Sequence, residues 1–262
     1  MSDEFVVACF GDVVGSMGRE ALIRALPSFR AQHQCDLIVV NAENAAGGVG
    51  ATPAAIEEMK RAGVDCFTLG DHTFKFKELR SYLDSNQSYC IRPANYPEGA
   101  PGVGYCTLSR AGLTIGICNL MGRVFMNGSF DCPFRFIDRI LTDNLAHCDL
   151  IVVDFHAEAT SEKLAMARYL DGRCTLLVGS HTHVQTADEQ VLPGGLGYLT
   201  DLGMCGVTDG VIGMDKGVAL ERFISGLPKA YKLATGSVML HGAIARIDKA
   251  SRKALSVERI KM

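Results

Sequence analysis

A chain of 262 residues, 48% hydrophobic and 21% charged, can bury a large core and has the composition of an ordinary soluble globular protein. Its formal net charge of −3 argues against a broad basic surface for long nucleic acid. A local phosphate site stays open, because bound metal ions carry positive charge that a residue count misses. The acidic start Met1-Ser2-Asp3-Glu4 leads into an apolar run too short for a signal-peptide core or a membrane span. The ten cysteines include no C-x-x-C pair, and together these features predict a cytoplasmic protein with reduced thiols.

In chain order, residues 5–10 form an apolar strand that ends at Gly11-Asp12, and helical spacing of Leu22, Ile23, Leu26 and Phe29 follows. Strand, Gly-rich turn and helix suggest a phosphate loop, but the G-K-[ST] of a nucleotide loop is missing and a dinucleotide fingerprint fails on spacing. Asp12 is therefore read as a metal ligand at a strand end. A second strand at 36–40 delivers Glu43 and Asn44, a carboxylate beside an amide, before the glycines of 47–50. Thr52 caps a helix through Arg61, with Pro53 in its first turn. A third strand at 65–69 delivers Gly70-Asp71-His72, and a helix is expected at 74–83, then a structured Pro/Gly-rich loop at 90–104. A strand at 113–118 leads to Asn119 and Arg123, candidate substrate contacts, and a helix is expected at 133–145.

The near-continuous apolar run 150–153 suits a sheet covered on both faces and ends at His156 and Glu158. Thr160 or Ser161 should cap the next helix, with Lys163 in its first turn. The strand at 174–178 then turns through Gly179-Ser180 into His181-Thr182-His183. An extended H-x-H would aim both imidazoles the same way, toward one metal or two adjacent ones. The alternating segments at 237–240, 243–247 and 254–260 are expected to be antiparallel strands that finish a second sheet. With no internal repeat, low-complexity tract or linker, residues 1–262 read as a single domain.

Strand ends thus present an Asp, a Glu-Asn pair, an Asp-His pair, a His and a His-x-His. Carboxylate, amide and imidazole ligands without thiolate suit iron, manganese or zinc, and seven candidates are too many for one ion but fit two. Two ions a few Å apart hold a phosphoryl oxygen and ionise water for in-line attack. Glu43 is the natural bridge; Asp12, Asn44 and His183 complete one site, and Asp71, His156 and His181 the other. His72, beside a ligand but pointing elsewhere, is the candidate general acid or phosphate donor.

The blocks Gly11-Asp12, Asn41-Ala42-Glu43-Asn44, Gly70-Asp71-His72-Thr73, Asp154-Phe155-His156-Ala157-Glu158 and Gly179-Ser180-His181-Thr182-His183 resemble the calcineurin-like metallophosphoesterases. More narrowly they resemble the YmdB-like branch, as do Arg92-Pro93-Ala94-Asn95-Tyr96, the segment from Asn119 to Met126, and Thr200-Asp201-Leu202-Gly203-Met204. The resemblance implies a four-layer α/β/β/α sandwich with a dimetal site at strand ends and hydrolysis of phosphodiesters such as 2′,3′-cyclic nucleotides. Val14 stands where the wider superfamily has a histidine, a loss this branch shares. Asp71 stands where the branch has asparagine, and Phe74 where it has tryptophan. The extra carboxylate brings two divalent ions plus a hydroxide close to neutrality, so tighter metal retention with weaker pull on an anionic substrate is expected, or a preference for ferric ion. Rival readings are a phosphomonoesterase or nucleotidase on the same metals, and a slow-turnover regulatory protein that binds metal and nucleotide. The expected partner is a small phosphodiester or nucleotide, with no membrane and no long nucleic acid; a homo-oligomer remains compatible.

Overall fold

A computed structural model of the chain describes residues 3–262, so Met1 and Ser2, the start of the acidic N-terminus, lie outside the described residues. Strand β1 (Glu4–Phe10) pairs in parallel with β3 (Leu37–Asn41), and β3 in parallel with β4 (Cys66–Thr68). The short β2 (Asp12–Val13) adds an edge to the same sheet. Helices α1 (Gly15–His33) and α2 (Pro53–Arg61) cover its outer face, and α3 (Glu78–Ser85) packs beside α2. A second sheet holds β5 (Tyr105–Arg110), β6 (Leu113–Met121), β7 (Leu150–His156) and β8 (Leu176–Ser180), with β6, β7 and β8 parallel. Strand β10 (Gly197–Leu199) follows beside β8, and β9 (Gln190–Val191) forms the edge. Its outer face carries α4 (Pro133–Arg139), which runs on into a wide helical turn at Ile140–Asn144, and α5 (Thr160–Leu170). Strand β11 (Met204–Val207), helix α6 (Lys216–Ser225) and strands β12 (Val238–Asp248) and β13 (Ala254–Lys261) follow.

The period-2 alternation of strands divides each apolar run between two interfaces. In β1, Phe5, Val7 and Cys9 face the other sheet, while Val6, Ala8 and Phe10 meet Leu22, Leu26 and Phe29 of α1. In β7, Leu150 and Val152 fill the space between the sheets, and Val153 and Phe155 pack under α5 with Met166 and Leu170. The expected helix/sheet/sheet/helix layering is therefore present, and it accounts for apolar runs with so few polar interruptions.

Four expectations change. The C-terminal strands do not finish a second sheet: β12 pairs antiparallel with β1 and with β13, inside the sheet begun at the N-terminus. The segments 237–240 and 243–247 form one strand, Gly242 passing without a break because it lies against Cys9. The helix expected at 74–83 starts only at Glu78, since Thr73 is bonded back to the Gly70 carbonyl and Phe74 packs on Tyr96. Neither Thr160 nor Ser161 caps α5; its N-cap is Ala159, without a side-chain bond.

Candidate metal centre

The site forms where β1, β3, β4, β7 and β8 end, so each strand delivers its polar residues as it leaves the core. Potential ligand atoms of Glu43, Asp71, His156 and His181 lie within 4.8 Å of one another. His156 Nε2 is 3.3 Å from Glu43 Oε1 and 3.2 Å from Asp71 Oδ1, and His181 Nδ1 is 3.5 Å from Asp71 Oδ1. A second group surrounds Asp12, whose Oδ1 is buried without a hydrogen-bond partner. His183 Nε2 and His156 Nδ1 each stand 3.9 Å from that oxygen. Asn44 touches both groups: its Nδ2 donates to Glu43 Oε1 at 2.9 Å and sits 3.2 Å from His183 Nε2. Ligation through the Asn44 oxygen needs the amide turned by half a rotation, since that oxygen now accepts from His72 Nδ1 at 3.1 Å.

Gly70 is required by this crowding. A Cβ there would stand 2.0 Å from Glu43 Oε2 and 2.4 Å from His156 Nε2. The H-x-H is not an extended segment: His181 and His183 have φ of 104° and 65°, so the two imidazoles turn to different partners instead of side by side. Such backbone strain in non-glycine residues gathers at functional sites.

The electrostatics match a cation site. Burial raises the Asp12 pKa, with the opposing pull of His183 and His156 too weak to reverse it. Burial also acts to raise Glu43 and Asp71, but the neighbouring histidines hold both below the usual carboxylate range. Burial acts to lower His156, and the field of Glu43 with hydrogen bonds to Asp71 and Glu43 lifts it well above an ordinary imidazole instead. Glu43 and Asp71 thus hold negative charge here, while burial disfavours a charge on the neighbouring Asp12. The orphaned Asp12 oxygen, the hard oxygen donors and the imidazoles together fit divalent transition metals.

A second set of residues aims the ligands. Ser180 Oγ donates to Asp154 Oδ1 at 2.7 Å and meets His156 Nδ1 at 2.9 Å, which leaves His156 Nε2 for the cluster. Asn41 Nδ2 donates to Asp154 Oδ2 at 3.0 Å. Glu158 Oε2 is 3.1 Å from His181 Nε2 and so holds that ring. His183 Nδ1 donates to the Ile212 carbonyl at 2.9 Å. Behind the loop, Lys163 Nζ donates to Ser180 O at 2.8 Å and to Asp201 Oδ2 at 2.7 Å, and Asp201 Oδ2 also accepts from Thr182 Oγ1 at 2.8 Å. Sequence reading gave no supporting role to Asp154, Asn41, Ser180, Lys163 or Asp201, although Asp154 sits two residues before His156 in an apolar strand, hence on the same face.

His72 lies at the mouth, 38% exposed, with Nδ1 3.4 Å from Glu43 Oε1 and Nε2 3.7 Å from Asp71 Oδ2. Its hydrogen bond to Glu43 raises its pKa above an ordinary histidine. The two expected substrate contacts are not part of this cavity. Asn119 is fully buried, its amide accepting from Leu69 N and donating to Asp154 O, so no polar atom is left for a ligand. Arg123 is exposed and is anchored through its backbone N–H to Glu162; its side chain does not line the cavity beside Glu43 and His72.

The chain is similar to known proteins over nearly its whole length. The YmdB-like protein family matches residues 8–260. The chain is 41% identical over 250 residues to a Bacillus subtilis protein named 2′,3′-cyclic-nucleotide 2′-phosphodiesterase, covering 95% of this chain and 94% of that one. A Thermus thermophilus hypothetical protein superposes with a TM-score of 0.92 at 37% identity, covering 98% of this chain and 99% of the other. A Mycoplasma pneumoniae structure described as a novel phosphatase gives 0.93 at 32% identity, covering 100% and 94%. With its layered sheets, its cluster of carboxylates and imidazoles and a family match spanning nearly its full length, the chain belongs to the YmdB-like proteins.

Proposed function

We propose that this chain is a dimetal phosphodiesterase acting on 2′,3′-cyclic nucleotides or similar small diesters, as a single domain working in the cytoplasm. The observation that carries the reading is the pairing of the Glu43/Asp71/His156/His181 cluster with the orphaned Asp12 oxygen next to it. Glu43 would be shared by two ions, with Asp12, Asn44 and His183 on one side and Asp71, His156 and His181 on the other. Bound iron, manganese or zinc would supply charge to hold the phosphoryl oxygens and would ionise a water for attack on phosphorus. The chain's own part is orientation and proton transfer. His72 stands at the mouth with Nδ1 turned toward Glu43, so its Nε2 is the atom to protonate the leaving ribose oxygen.

The test is metal analysis of the purified protein together with turnover of the four 2′,3′-cyclic nucleotides across pH. Near-stoichiometric pairs of transition-metal ions and cyclic-nucleotide hydrolysis are expected. Because a general acid works only while protonated, the rate should fall along an alkaline limb as His72 loses its proton. His72→Ala should cost roughly 10²–10⁴-fold in kcat and remove that alkaline limb. Full activity in His72→Ala, or hydrolysis of monoesters alone, would refute the reading.

A further inference from the structure

The metal centre opens into a cavity of about 390 Å³, and the wall facing the ligands is built from Ile212, Met214, Arg222 and Tyr231. Three of these, Ile212, Met214 and Arg222, also line a second, partly open cavity of about 510 Å³, together with Phe223 and Leu227. Both volumes lie in the range of small-molecule sites, and the second has the mainly apolar lining with few polar groups that such sites share. Arg222 stands at the junction, in the last turn of α6. Among the described residues it has no carboxylate partner, and its side chain donates only to the Met214 sulfur at 3.9 Å.

An unpaired guanidinium beside an apolar hollow is suited to the face and edge of a nucleobase: it is planar, weakly hydrated and carries several donors. In a ribonucleoside 2′,3′-cyclic phosphate the base and the reacting phosphate hang from one ribose, so a base-binding hollow must adjoin the phosphate-binding one. The two cavities share three side chains, which meets that condition. Tyr231 bounds the entrance by packing on Gly48, whose φ of 80° and lack of a Cβ leave room for the ring. We propose that the second cavity is a nucleobase subsite in which Arg222 contacts the base while the phosphate lies at the metal centre. The proposal rests on the phosphodiesterase reading.

The test compares metal-loaded wild type, Arg222→Gln and Leu227→Asp on adenosine 2′,3′-cyclic phosphate and on ribose 2′,3′-cyclic phosphate, which lacks the base, and measures adenosine binding by calorimetry. Wild type should prefer the nucleotide. Each variant should raise the KM for the nucleotide about tenfold while kcat and turnover of the ribose compound stay unchanged. Adenosine should bind wild type and not Arg222→Gln. Equal loss on both substrates would assign Arg222 to the phosphate and overturn the proposal, as would no change in either variant. If wild type hydrolyses neither compound the phosphodiesterase reading fails, and adenosine binding alone then decides the subsite.

Discussion

The loop that carries His181 and His183 rests on one buried ion pair, and Lys163→Met tests how much depends on it. Lys163 and Asp201 are each only 1% exposed, and the lysine ties the Ser180 carbonyl to a carboxylate that also holds Thr182. Methionine keeps most of the volume but leaves a buried carboxylate without its counter-charge, which costs about 3–5 kcal/mol in comparable pairs. Asp201 retains Gly203 N at 2.8 Å on its other oxygen and both Thr182 donors, so the lower half of that range is expected. At about 2–4 °C per kcal/mol for a chain of this size, the thermal midpoint should fall by roughly 10 °C. Metal affinity should fall about tenfold or more, because the supports of both imidazoles loosen. Thermal and urea unfolding with and without metal, plus competitive chelation, measure both quantities. Adding Asp201→Asn to Lys163→Met removes the stranded charge and should recover a good part of the stability. A single substitution costing under about 1 kcal/mol, or a double variant showing simple additivity, would refute the reasoning.

Gly70→Ala places a methyl group on the Glu43 carboxylate and the His156 ring, so it should abolish stoichiometric metal binding while the far-ultraviolet spectrum stays native; elemental analysis with circular dichroism checks this. Asp71→Asn removes one negative charge from the centre and should raise the phosphodiesterase rate with a common divalent metal while loosening metal retention; an unchanged or lower rate at full occupancy would count against the charge argument.

The sequence by itself determined the layers and the candidate donors. Apolar runs such as 5–10, 36–40 and 150–153 have to be buried on both faces, and the polar residues just beyond them are left at the strand ends. Local pattern did not show α6, which buries only Ala219 and so lacks a core-facing stripe. Nor did it place Asn119, whose polarity read as substrate contact until the sheet enclosed it between Leu69 and Asp154. Tertiary structure alone decided that β12 returns beside β1, because strand pairing is set by packing between distant segments. It alone brought Lys163 to Asp201, Ser180 to His156 and Ile212 to His183, contacts across 24 to 38 residues whose partners share no local signal. The candidate donors are thus written in short blocks of sequence, whereas their orientation depends on where the folded chain sets the next donor and acceptor.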